Sequence, residues 1–105
     1  MRPFEEGQEE RINEAIRKRI RAYTDQMIDH GFNWAISPYT NETEHVVRIG
    51  TSILCTKWGI GSPGGSFVQA IVNNDLMEAF GRADSVNVNA IRFYVSLLYN
   101  QSYIE

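Results

Sequence analysis

The chain has 105 residues, 43% of them hydrophobic and 22% charged, and a net charge of −3. That is room for one globular domain, too apolar for wholesale disorder, and acidic where a general nucleic-acid binder is basic. A single cysteine, Cys55, excludes an internal disulfide and any paired-cysteine zinc site.

The first predicted element is a long helix over residues 4–30. Pro3 suits a helix start, and Glu5, Glu6, Glu9 and Glu10 favour the positive end of its dipole. Ile12, Ile16, Ile20, Tyr23 and Met27 recur every three or four residues and draw one apolar stripe. Glu14 with Lys18, and Arg21 with Asp25, sit four apart, as surface ion pairs do. Gly31 reads as the stop. A helix of that length would run ~35–40 Å, so one end is expected to project or to pair with a second copy. Charge is concentrated here: residues 1–31 hold seven acidic and six basic side chains, residues 60–105 only four and two.

Residues 32–42 contain Pro38 and several turn formers and read as a connection. Their aromatics, Phe32, Trp34 and Tyr39, are expected to fold back over the core. Residues 44–58 carry two signals. Val46, Val47, Ile49, Thr51, Ile53 and Thr56 are β-branched, and Gly50-Thr51 fits a hairpin turn. Val46, Ile49, Ile53 and Lys57, with Val47, Leu54 and Trp58, also recur at helical spacing; Asn41 and Glu44 resemble a capping box and Gly59 a stop. The prediction is a helix, with a β-hairpin as the rival.

Four glycines and a proline in Gly59-Ile60-Gly61-Ser62-Pro63-Gly64-Gly65-Ser66 then break any helix. Phe67, Ala70, Ile71 and Val72 begin a short helix with Ser66 as its expected cap. Asn73-Asn74-Asp75 interrupts it or caps another, whose apolar positions are Leu76, Met77 and Phe80. Asp84 or Ser85 caps the last helix, in which Val88, Ile91, Val95 and Leu98 form the expected buried stripe, widened by Phe93, Tyr94, Leu97 and Tyr99. The fold expected is all-α, one domain over 1–105 with about four helices; the alternative is α+β with a hairpin in 44–58.

Candidate sites follow from these elements. Backbone N–H groups of Gly61, Ser62, Gly64, Gly65 and Ser66 would suit a phosphate or carboxylate, with Arg82 or Arg92 neutralising its charge. The turn is no P-loop, lacking the Lys-Ser/Thr that follows the last glycine, and it lacks the strand that a dinucleotide fingerprint follows. A tight interhelical joint explains the same glycines. Arg17-Lys18-Arg19 and Arg21 spread around a helix, as a solvated face does, without the aromatic interleaving of single-strand binders. Arg17 and Arg21, with Trp34 and Tyr39, are the candidates for contact with a protein partner.

His30 and His45 are too few for a metal site, and Cys55 reads as a small core residue. Asp75, Glu78, Arg82 and Asp84 form a polar set that an ion pair within one helix explains. No nucleophile or acid/base pair converges. Neither an enzyme nor a cofactor is expected, and neither nucleic acid nor membrane is an expected partner. No apolar run approaches the ~20 residues of a membrane helix, and Met1-Arg2-Pro3-Phe4-Glu5-Glu6 is not a secretory signal. The expected location is the cytoplasm.

Pro63-Gly64-Gly65-Ser66-Phe67, Asn74-Asp75-Leu76, Arg82-Ala83-Asp84 and Tyr99-Asn100 occur in this order. The series resembles a group of small bacteriophage and prophage proteins whose shared core reads Pro-Gly-Gly-Phe, Asn-Asp-Leu, Arg-Ala-Asp and Tyr-Asn. The likeness covers the 63–100 unit and leaves the first 58 residues outside. Many members continue after Tyr-Asn into a short segment with Trp-Gly or Ser-Pro, which residues 101–105 do not contain. The resemblance implies a phage origin and a bacterial host cytoplasm, and it transfers no activity and no site residue. An accessory role in binding a host, defence or phage protein, or a second copy, is the functional expectation; a module sequestering a nucleotide-like anion is the alternative.

Overall fold

In the computed structural model, whose described residues are 7–29 and 41–103, the regular elements are all helices. They are α1 (Glu9–Asp29), α2 (Asn41–Trp58), α3 (Ser66–Val72), α4 (Leu76–Arg82) and α5 (Asn87–Tyr99), closed by a 3-10 turn, Gln101–Tyr103. The all-α prediction holds and the hairpin does not form: Gly50-Thr51 lies inside α2. Among the described residues there are five α-helices against about four expected, because Asn73-Asn74-Asp75 separates two short helices in 66–82, the second of the two readings of that stretch.

Helix α1 packs on α2, and α2 in turn carries α3 and α5. Ile12, Ile16, Ile20 and Tyr23 of the predicted stripe are buried, joined by Ala15; Met27 lies outside the described side chains, and Gly31 and residues 32–40 of the expected 32–42 connection lie outside the described residues, while residues 41 and 42 already belong to α2. At about 1.5–3 kcal/mol for each large apolar side chain, this stripe is the main hold of α1 on the domain. At 21 residues α1 is shorter than predicted, and a length of ~32 Å fits inside the 36 Å long axis, so no end is forced to project.

Gly50 explains how α2 sits so close to two neighbours. A Cβ there would stand 3.1 Å from Leu97 Cδ1 and 3.3 Å from Ile16 Cδ1, so the missing side chain lets α1 and α5 approach α2 at one level. Two polar links flank this contact. Arg17 forks onto Glu44, Nε to Oε2 at 3.1 Å and Nη2 to Oε1 at 2.8 Å, while its Nη1 reaches Glu14 at 2.6 Å. Thr51 donates its hydroxyl proton to Asn13 Oδ1. Glu44 thus pairs across helices with Arg17, which also holds Glu14 within α1; the Asn41 side chain of the expected capping box lies outside the described side chains.

Helix α5 is the centre of the core. Phe93 packs edge-on against Tyr23 at 5.4 Å, and Tyr94 against Phe67 at 5.8 Å. Tyr94 is fully buried, and its hydroxyl donates to Asn87 Oδ1 at 2.7 Å, which satisfies two polar groups inside the core. Burial and the nearby Asp84 charge push the Tyr94 phenol well above its usual range. The buried face consists of Asn87, Ala90, Ile91, Phe93, Tyr94 and Leu97. The predicted stripe is therefore turned: Val88, Val95 and Tyr99 face outward, and Leu98 is only partly buried. Helix α4 departs further from expectation, burying only Ala79 and exposing Leu76, Met77 and Phe80.

Candidate functional site

The glycine-rich turn is built by the end of α2. Gly59, at φ +73°, takes the left-handed conformation that stops the helix. Ile60 N–H then donates to Cys55 O at 2.8 Å, and Ile60 buries its side chain. Gly64 N–H donates to Thr56 Oγ1 at 2.9 Å, and Gly64 O accepts from Gln69 Nε2 at 2.7 Å. A Cβ on Gly64 would stand 2.5 Å from Ser52 Oγ and 2.7 Å from Val68 Cγ1, so the backbone here is pressed between α2 and α3. The N–H groups of Gly59, Ile60 and Gly64 are thus directed at α2, which makes the turn a joint between two helices. Gly61 is left-handed at φ +68°, and Ser62 is exposed. Gly65, not Ser66, occupies the cap position of α3, and it makes no side-chain bond there.

The next boundary is Asn74-Asp75. Asn74 is left-handed at φ +58°, the conformation glycine supplies at Gly59. Asp75 N–H returns to Ala70 O at 2.8 Å, closing α3, while the Asp75 carboxylate accepts from Glu78 N–H at 3.2 Å, opening α4. Arg82 holds Glu78 at 3.1 Å along α4, as the four-residue spacing predicts.

Asp84 is the cap of α5 and more. One carboxylate oxygen accepts from Val86 N–H at 3.0 Å and Asn87 N–H at 2.7 Å. The other stands 3.0 Å from His45 Nε2, tying the cap to α2. The Asn87 N–H bond, the His45 ring and the Val86 N–H together hold the Asp84 carboxyl below its ordinary range, against a smaller opposing effect of burial. At the far end of α5, Asn100 Nδ2 donates to Ser96 O at 3.0 Å. Each fragment of the phage-like series therefore falls on a helix boundary or on the core beside it: Gly64 and Phe67, Asn74 and Asp75, Asp84, Asn100.

The other candidates are dispersed. Arg17 is engaged between Glu14 and Glu44, and these carboxylates hold its proton above the usual range. Arg21 is exposed on α1. Arg82 is held by Glu78, and the charge of Arg92 is felt at the Tyr23 phenol of α1. Trp34, Tyr39 and His30 lie outside the described residues. Cys55 is buried, which pushes its thiol above the usual value. Among the described residues, no three His, Cys, Asp or Glu side chains come close enough to hold a metal ion, and no helix is long and apolar enough to cross a membrane.

What sequence periodicity missed is a surface. Among the described residues, the exposed large apolar side chains are Leu76, Met77, Phe80, Val88, Val95 and Tyr99, all on α4 or α5. Met77 and Tyr99 are 87% and 88% exposed. On α5, Val88, Val95 and Tyr99 recur at steps of seven and four and so share one face. Beside them lies a groove of about 290 Å³ whose lining includes Ile71, Val72, Val95 and Leu98, with Lys57, Asn74, Tyr99 and Gln101 supplying polar groups. Gln101 is fixed as a wall: its Oε1 accepts from Trp58 Nε1 at 2.9 Å and its Nε2 donates to Leu98 O at 3.1 Å. Comparison of the chain with protein-family models, with curated proteins and with solved structures gives no significant match.

Proposed function

We propose that the chain is a small accessory protein of the phage type that acts by binding protein through α4 and α5, engaging a host, defence or phage factor or another copy of itself, and not by catalysis. The observation that carries this reading is the gathering of the exposed large apolar side chains onto two consecutive helices. Scattered single apolar residues are ordinary on a protein surface, whereas a cluster of large ones marks a contact face.

The charges of the α4–α5 region support the same reading. Glu78 pairs with Arg82 and Asp84 with His45, and Asp75 and Arg92 add one further charge of each sign, so the charges around the apolar groups are largely matched. Depletion of unpaired charge is a mark of interface centres.

Photo-crosslinking in expressing cells tests the proposal. A crosslinking side chain at Met77 is expected to give discrete protein adducts, and one at Arg21 on α1 none. No adduct at Met77, or the same adducts from both positions, would overturn it.

A further inference from the structure

We infer that the groove beside α5 receives an acidic amphipathic helix of a partner protein, one of its large apolar side chains seated over Val95 and Leu98 and a neighbouring carboxylate paired with Lys57. This inference rests on the reading of α4–α5 as the contact face and names the chemistry of what binds there.

The argument begins with charge. The chain carries −3 overall, yet the groove lining includes Lys57 and no carboxylate, and α5 carries Arg92 and no Asp or Glu. Arg92 follows Val88 by four residues and precedes Val95 by three, so it stands on the same exposed stripe. The carboxylates of this region are engaged elsewhere. Asp75 accepts from Glu78 N–H at the start of α4, and Asp84 accepts from Val86 and Asn87 N–H at the start of α5. The Lys57 ammonium and the Asn74 carboxamide both belong to the groove, and neither side chain has a hydrogen bond or ion pair among the described residues. A carboxylate suits both, and a local cationic field on an acidic chain steers an acidic partner to this face.

Shape sets the rest. Val88, Val95 and Tyr99 extend along eleven residues of one helix face, ~16 Å, a length matched by a helix laid alongside with apolar anchors at helical spacing. The recess toward the end of this stripe, about 290 Å³, has an apolar floor of Ile71, Val72, Val95 and Leu98, with the exposed Tyr99 at its edge. A Leu or Phe side chain fits such a volume, since an apolar cavity of ~150 Å³ already admits benzene. The rim is pre-set: Gln101 is held at both ends of its carboxamide by Trp58 and Leu98. That leaves Lys57 and Asn74 to meet the charge beside the anchor.

The test is isothermal titration calorimetry of the whole chain with two synthetic helical peptides. One carries Leu along one face and Glu along the other; its twin has Lys in place of every Glu. The Glu peptide is expected to bind at least about tenfold more tightly than its twin, and to lose affinity when salt rises from about 50 to 500 mM. Lys57→Glu and Val95→Glu, both at exposed sites and checked for folding by circular dichroism, are each expected to weaken it by about tenfold or more. Lys18→Glu on α1 makes the same change in net charge away from the groove and is expected to stay within about twofold of wild type. Equal binding of the two peptides, preference for the Lys twin, or no binding of either at about 1 mM overturns the inference. So does a loss at Lys57→Glu no larger than at Lys18→Glu, or tighter binding of sodium octanoate than of the Glu peptide, which would make the occupant a small anion. Crosslinking at Met77 separates the two claims. Discrete adducts without a preference for the Glu peptide leave the contact face standing and remove only the acidic helix as its occupant; no adducts remove the face and this inference with it.

Discussion

Gly64→Ala is the sharpest perturbation of the joint between α2 and α3. The added Cβ would lie 2.5 Å from Ser52 Oγ, 2.7 Å from Val68 Cγ1 and 2.8 Å from Val68 Cβ, all nearer than real Cβ atoms approach. Ser52 Oγ can rotate away. Val68 cannot, because a β-branched side chain in a helix has one favoured rotamer and its Cβ is fixed to the backbone. Relief therefore requires moving α3, and Phe67 and Val68 with it, out of the core. Overpacking of this kind costs about 1–3 kcal/mol; loss of the Gly64 N–H bond to Thr56 Oγ1 adds to it. A total of about 3 kcal/mol lowers the midpoint of thermal unfolding by roughly 12–20 °C for a domain of this size. Gly65→Ala is the control: nothing lies within 4 Å of its Cβ, and its backbone is extended, so a change below about 0.5 kcal/mol is expected. Urea unfolding of both variants decides the matter. Equal stability of Gly64→Ala and wild type, or equal losses at the two glycines, would refute the joint.

Three further outcomes follow. Asp84 has a depressed carboxyl in the folded chain, so its contribution is present above the unfolded value near 4 and disappears as pH falls through the lower folded value; urea midpoints at pH 5, 4 and 3 are expected to fall more steeply for wild type than for Asp84→Asn, and parallel slopes would contradict this. Asn74 sits at φ +58°, so Asn74→Ala is expected to lose about 1 kcal/mol while Asn74→Gly loses nothing measurable by the same assay. At Gly50, Ala asks Leu97 and Ile16 methyl groups to yield a few tenths of an ångström and gains about 1 kcal/mol of helix propensity in return; Gly50→Ala should unfold near wild type, and Gly50→Val about 2 kcal/mol earlier.

The sequence made α1 legible because its apolar residues occupy one stripe and its other faces are charged; periodicity then has a single solution, and Ile12, Ile16, Ile20 and Tyr23 are all buried. It made most boundaries legible too, since Gly59, Asp75 and Asp84 act as stop and cap through local chemistry that needs no tertiary context. Helix α5 was harder. Nearly every position of Asn87–Tyr99 is apolar or weakly polar, so two stripes compete, and the one with the rings of Phe93 and Tyr94 buries more area than the Val88–Val95 stripe. Asn87 would not be expected in a core, yet Tyr94 requires an acceptor there. Gly50 was ambiguous for a related reason: a glycine between β-branched residues marks a turn or a close approach, and only the packing of Ile16 and Leu97 distinguishes them. The α4–α5 surface left no local signal at all, because an exposed Met77 and a buried one are written identically.

That surface is also where the central claim is exposed to test: Met77, Val95 and Tyr99 face outward, as the proposed contact surface requires, and do not hold the fold together. The measurement is the free energy of urea unfolding of the combined Met77→Glu, Val95→Glu and Tyr99→Glu variant in dilute solution, where copies are apart. A value within about 1.5 kcal/mol of wild type is predicted, since exposed substitutions each change stability by ~0.5 kcal/mol or less. A loss above about 3 kcal/mol would place these side chains in the core and contradict the assignment.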